Sequence, residues 1–201
     1  MAIELTRAQI EEALPRIRPG LEKYVWLQEH RDSNDLRNDS GYRRRFNHFY
    51  RVRRGTDWQD KFYALLEGKK HEAVSFAEVL HALHEATGRY EASFASKLVA
   101  TIRPEMPVID SVVLRNLGLT FPGYNLRDRT ARLERLHETL VSRFNVFLTT
   151  ETGCYLVKRF REEYPDARIS KLKMLDLVLW QTRPNKARHQ TSTGANVSAG
   201  G

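Results

Sequence analysis

Apolar residues return at every third and fourth position along almost the whole chain, and no stretch alternates apolar with polar as a half-buried strand does. That periodicity restricts the fold to packed helices. In "FAEVLHALHEATG", Phe76, Val79, Leu80 and Leu83 make one apolar helix face. Ser75 with Glu78 supplies a capping box at its start, and Gly88 a left-handed stop at its end. "TDWQDKFYALLEG" repeats the design, with Thr56 and Gln59 as cap, Trp58, Phe62, Leu65 and Leu66 as stripe, and Gly68 as stop. Further helices are expected near 6–14, 20–30, 41–52, 91–102, 110–117, 127–147, 151–162 and 168–181. The fold class is therefore all-α, with no internal repeat.

The 201 residues suffice for one domain with a sizeable core, or for two small lobes sharing one. Residues 1–30 are expected to form an N-terminal helical pair. The polar "RDSNDLRNDSG" of 31–41 links it to a main helical domain over 42–182, and 184–201, without apolar anchors, reads as a mobile tail. Lys plus Arg exceeds Asp plus Glu by 33 to 25, a net charge of +8 that suits a polyanionic partner. Cys154 is the one cysteine, which excludes an internal disulfide, an iron–sulfur cluster and a Cys-rich zinc site. No signal peptide or run of about 20 apolar residues is present, so a cytoplasmic protein off the membrane is expected.

Two segments carry the candidate functional residues. In "YRRRFNHFYRVRRG", Arg43, Arg44, Arg45, Arg51, Arg53 and Arg54 interleave with Phe46, Phe49 and Tyr50. On a helix the aromatics gather on one side and much of the arginine on the other. Arginine forks match phosphate oxygens, and aromatics either fill a core or stack on bases. The second segment is "ATGRYEASFASKLVATIRPEMPVIDSVV", residues 86–113. Gly88 and Arg89 form a short turn between two helices. The free N–H groups at the start of the second helix can bind a phosphate, with Arg89 beside them.

Pro104 ends that second helix, and Pro107 keeps the next segment extended up to Asp110. Asp110 then caps another helix through the Val112 or Val113 N–H. Its neighbours are apolar, which puts the carboxylate at the edge of a buried surface. Lys97 likewise lies among Phe94, Leu98, Ala100 and Thr101. Each charge has a structural reading, a cap and a snorkelling side chain, and a chemical one, a carboxylate and an amine tuned by burial.

Hairpin, helix, Pro-x-x-Asp and further helix together resemble the helix–hairpin–helix DNA glycosylases, and more closely their 8-oxoguanine-glycosylase-like branch. The likeness is clearest over residues 76–119 and extends across the helical part from about 42 to 181. It implies a two-lobed helical bundle whose hairpin (76–102, with Gly88 and Arg89) grips DNA, and it makes Asp110 the essential aspartate. The implied activity is extrusion of a modified base from double-stranded DNA and cleavage of its N-glycosidic bond, by a monomer without metal or cofactor. An oxidised base in repair, or a modified base of phage DNA in antiviral defence, fits as substrate. Bifunctional members place a Schiff-base lysine at the start of the second hairpin helix. This chain has Tyr90, Glu91 and Ala92 there, and Lys97 lies roughly 9–10 Å further along the axis.

Other readings remain beside this one. His81, His84 and Glu85 share a helix at spacings that bind zinc, but no further ligand is evident. Trp180 and Gln181 close the last helix as core or pocket lining. Tyr124, His137 and Cys154 stand isolated, and no phosphate-loop, dinucleotide or nucleophile-elbow motif appears. The principal alternatives are a non-catalytic DNA-binding protein on the same scaffold and a helical interaction protein with an acidic partner.

Overall fold

Burial of continuous apolar stripes decides where the helices begin and end. The computed structural model describes residues 2–124 and 127–182, and the tail expected over 184–201 lies outside them. The described residues form nine helices and no strand: α1 Arg7–His30, α2 Ser40–Tyr50, α3 Thr56–Lys69, α4 Phe76–Thr87, α5 Ala92–Ile102, α6 Ser111–Asn116, α7 Arg129–Thr149, α8 Glu151–Glu163 and α9 Lys171–Gln181. No described helix is long and apolar enough to cross a membrane.

The expected N-terminal pair is instead one helix, with Pro15 and Pro19 inside it. An internal proline removes a backbone hydrogen bond and costs about 3 kcal/mol. Here both prolines lie on the exposed side, where water can reach the freed carbonyls. The opposite side buries Ile10, Ala13, Leu14, Ile17, Leu21, Tyr24 and Leu27 in an unbroken stripe against α2, α8 and α9. That burial outweighs the prolines. Nor are residues 31–41 a plain link. Leu36 is fully buried, its N–H donates to Glu67 (2.9 Å), and Lys70 Nζ donates to the Asn34 carbonyl (3.0 Å), which ties the segment to α3.

The expected cap on α4 forms: Ser75 accepts from the Glu78 N–H, Glu78 accepts from the Ser75 N–H, and Gly88 takes a left-handed φ of 72°. The matching expectation for α3 fails. Gly55 is its N-cap, because the Gln59 side chain bonds Asn47 (2.7 Å) and the Arg54 carbonyl (2.5 Å) instead. The helix also runs through Gly68 to Lys69.

One buried cluster contains side chains from every helix. α9 lies against α1, α6, α7 and α8, while α4 packs on α3 and α5. Phe46 anchors the aromatic part of the core, with Tyr50 at 4.7 Å, Phe62 at 5.6 Å and Tyr63 at 5.8 Å between ring centroids. The α2 aromatics are thus core. This packing holds the α4–α5 hairpin and the segment after it in place.

Candidate active site

α5 supplies the amine. Its Ala-rich sequence lets the helix sink into the core, and Lys97 is 6% exposed. The ammonium finds two partners on its own helix: it donates to Ser93 Oγ one turn back (3.1 Å) and lies 4.8 Å from the Phe94 ring centroid. Burial pulls the Lys97 pKa below its ordinary value, and the charges of Asp110 and Glu91 partly offset it. The amine is thereby made easier to neutralise than a surface lysine.

The segment between α5 and α6 brings the carboxylate to it. Ser96 Oγ accepts from the Ile109 N–H (2.9 Å), and Val108 and Ile109 are buried, so the extended strip is pinned along α5. Asp110 follows at the half-buried edge and caps α6, accepting from the Val112 N–H at 2.8 Å. The cap fixes the carboxyl's orientation with one oxygen, Oδ1. Among the described residues the other oxygen takes no hydrogen bond. The chemical and structural readings of Asp110 are therefore compatible: the same residue caps a helix and places a charge near Lys97.

A cleft of about 520 Å³ opens at the N-terminus of α5. Arg54, Arg89 and Arg129 give it positive charge, and Ser93, which bonds Lys97, is part of its wall. Lys97 and Asp110 do not line the cleft; the amine sits one hydrogen bond behind it. Phe121 and Tyr124 stand at the cleft, 40% and 86% exposed, and the Arg129 guanidinium lies 4.5 Å from the Tyr124 ring centroid. Arg129 also donates to the Tyr90 carbonyl (3.2 Å), which ties the start of α7 to the hairpin turn.

The predicted arginines divide. Arg89 and the left-handed Gly88 are exposed at the turn. Arg44, Arg51 and Arg53 are exposed on or just after α2. Arg43 points inward, bonding Asp60 (2.5 Å) and the Arg37 carbonyl (2.9 Å), with its guanidinium 4.7 Å from the Tyr63 ring centroid. Arg54 reaches the cleft but binds Glu91 through Nε (3.2 Å) and Nη2 (2.9 Å). Glu91 is the N-cap of α5 without a side-chain capping bond, so a carboxylate already stands at the helix end assigned to phosphate.

The sequence reading missed Arg129 and Phe121, took Tyr124 as isolated and gave Glu91 no role; the four meet at the cleft through tertiary packing. Among the described residues the candidate zinc pair has no third ligand gathered around it: His81 faces Glu134 at 3.3 Å, and His84 stacks on Tyr90 at 3.8 Å. Trp180 packs against Phe49 at 5.6 Å, as core. No family model, no curated protein and no solved structure matches the chain.

Proposed function

We propose that this chain is a DNA glycosylase, which flips a modified base out of duplex DNA and cleaves its N-glycosidic bond. The observation that carries the reading is a buried lysine amine one hydrogen bond behind an arginine- and aromatic-bearing cleft, within the field of a capped, half-buried aspartate. The resemblance of residues 76–119 to helix–hairpin–helix glycosylases supports the same roles.

In this reading the cleft arginines hold phosphates, and the extruded nucleotide moves past Ser93 toward Asp110. As the C1′–N bond breaks, its electron pair leaves with the base and positive charge grows on the sugar. The Asp110 carboxylate stabilises that charge and takes a proton from the water that adds to C1′; the departing base is protonated in turn. If Lys97 attacks C1′ in place of water, Asp110 takes its proton, which the apolar setting of the amine favours. The base leaves with the C1′–N electron pair, and the resulting aminal opens its C1′–O4′ bond, with a proton passing to O4′, to give a Schiff base.

The test is incubation with duplexes carrying oxidised, alkylated, deaminated or hypermodified bases, followed by alkali, which cuts abasic sites. Asp110→Asn is expected to retain duplex binding and to lose base release by about 100-fold or more. Asn also caps helices, so stability should move by less than about 1 kcal/mol. Cutting without alkali, abolished by Lys97→Gln, assigns lyase chemistry to the amine. Salt-sensitive duplex binding with no base release from any duplex would favour the non-catalytic DNA-binding protein and leave Asp110 as a cap.

A further inference from the structure

A second concavity, of about 310 Å³, lies between α1 and α2 and is lined by Lys23, Trp26, Arg44, Arg45 and His48. Four of these five side chains are basic. Of the neighbouring arginines, Arg43 is neutralised by Asp60 and Arg54 by Glu91. Lys23, Arg44, Arg45 and His48 take no carboxylate partner among the described residues, and all four are exposed. Lys23 Nζ and His48 Nε2 are instead 3.2 Å apart, two basic groups in contact.

Trp26 explains how the concavity keeps its shape. The Arg45 guanidinium lies 4.1 Å from its ring centroid, and the His30 imidazole stacks on it at 4.0 Å. His30 Nδ1 in turn pairs with the Trp26 carbonyl at 2.8 Å. An indole carrying both groups holds a guanidinium in place rather than offering itself to a base. An arginine held by stacking loses less freedom when its fork closes on an oxyanion. From His48 the chain leads through exposed Arg51 and Arg53 to Arg54 on the cleft.

We infer that Lys23, Arg44, Arg45 and His48 form a second phosphate-binding site, which holds the DNA sugar–phosphate backbone outside the segment seated in the cleft. Phosphodiester oxygens fit the Arg fork, and the Lys23 ammonium adds a further charged donor beside it. The inference rests on the proposed duplex binding and is independent of catalysis.

The experiment is the salt dependence of duplex affinity, compared between wild type, Lys23→Gln/Arg45→Gln and a matched control, Lys158→Gln/Arg161→Gln. The control removes two exposed charges from α8. Each lost phosphate contact lowers the slope of log affinity against log salt by about 0.9. The site variant should therefore fall in slope by about 1 to 2 and in affinity by about tenfold at moderate salt. The control should stay within about twofold of wild type, and Lys23→Gln alone should show a smaller loss than the double variant. Circular dichroism melting checks that each variant is folded. Base release by the site variant should persist at low salt. Equal slopes for all proteins, with tight wild-type binding, overturn the second site and leave the glycosylase reading intact. No salt-dependent duplex binding by wild type overturns both. Stabilisation by inorganic phosphate that the site variant lacks, without any difference on duplex, overturns the backbone assignment in favour of free phosphate.

Discussion

At the scale of the residue, burial sets the chemistry of the titratable groups. His137 on α7 is 5% exposed and stacks on Phe76 at 4.2 Å, with Nε2 buried and without a partner. Burial pulls its pKa from 6.5 to about 4; the Pro107 backbone opposes the shift and the Arg103 charge adds to it. The unfolded chain thus binds a proton that the folded chain refuses as pH falls through 6.5. Stability is complete above that value and is lost progressively toward pH 4. Between pH 7 and pH 5 the loss from this group alone should be about 2 kcal/mol, measured by urea unfolding. His137→Leu should flatten the profile; an unchanged profile in that variant would put the acid sensitivity elsewhere. The sequence offered no sign of this, because His137 has no special neighbours along the chain. Asp110 and Lys97 were legible because each breaks a local apolar pattern. Glu91 was not legible as a cleft carboxylate, since its meaning depends on Arg54, 37 residues away.

At the scale of the element, local chemistry and tertiary demand compete. Ser75 and Glu78 cap α4 as their types and spacing require, yet Thr56 and Gln59, with the same spacing, do not cap α3, because Asn47 and the Arg54 carbonyl claim Gln59. A sequence pattern shows which cap is available, and only packing shows whether its side chain is taken. The α7–α8 junction is decided at the backbone. Thr150 is the C-cap of one helix and the N-cap of the next, donating to the Phe147 carbonyl (2.7 Å) and accepting from the Gly153 N–H (3.1 Å). A Cβ at Gly153 would stand 2.0 Å from the Phe147 carbonyl oxygen and 2.8 Å from Leu148 Cα. Neither atom can rotate away. Gly153→Ala should therefore cost about 3 kcal/mol, the upper range for overpacking. Gly88→Ala, with φ at 72° and open space around it, should cost only about 1 to 2 kcal/mol. Thermal melts of the two variants rank them; a larger loss at Gly88 would contradict the close approach at the junction.

At the scale of the whole molecule, the core contains a charge pair that joins three helices. Lys173 and Asp176 on α9 are 4% and 3% exposed and meet at 2.6 Å. The Lys173 ammonium also lies 4.6 Å from the Tyr24 ring centroid of α1, and 5.8 Å and 6.0 Å from those of Phe49 and Tyr50 on α2. "KLKMLDLVL" carries the same kind of signal as the segment from Lys97 to Asp110, a lysine and an aspartate among apolar residues. What it hides is that the partners are each other and that the surrounding rings come from elsewhere in the chain. Each charge is tolerated in the core only through its partner. Removing one leaves the other desolvated and unpaired, at a cost of about 3 to 5 kcal/mol. Asp176→Leu and Lys173→Met should each be destabilising on that scale. The double variant should be more stable than either single one, since apolar side chains of similar size replace a buried pair at little net cost. A double-mutant cycle by chemical denaturation reads this as a coupling of several kcal/mol, well above the roughly 0.5 kcal/mol within which independent sites add. Additive losses would mean that the two charges are each solvated in the folded protein, and that α9 is held against α1 and α2 by its apolar residues alone.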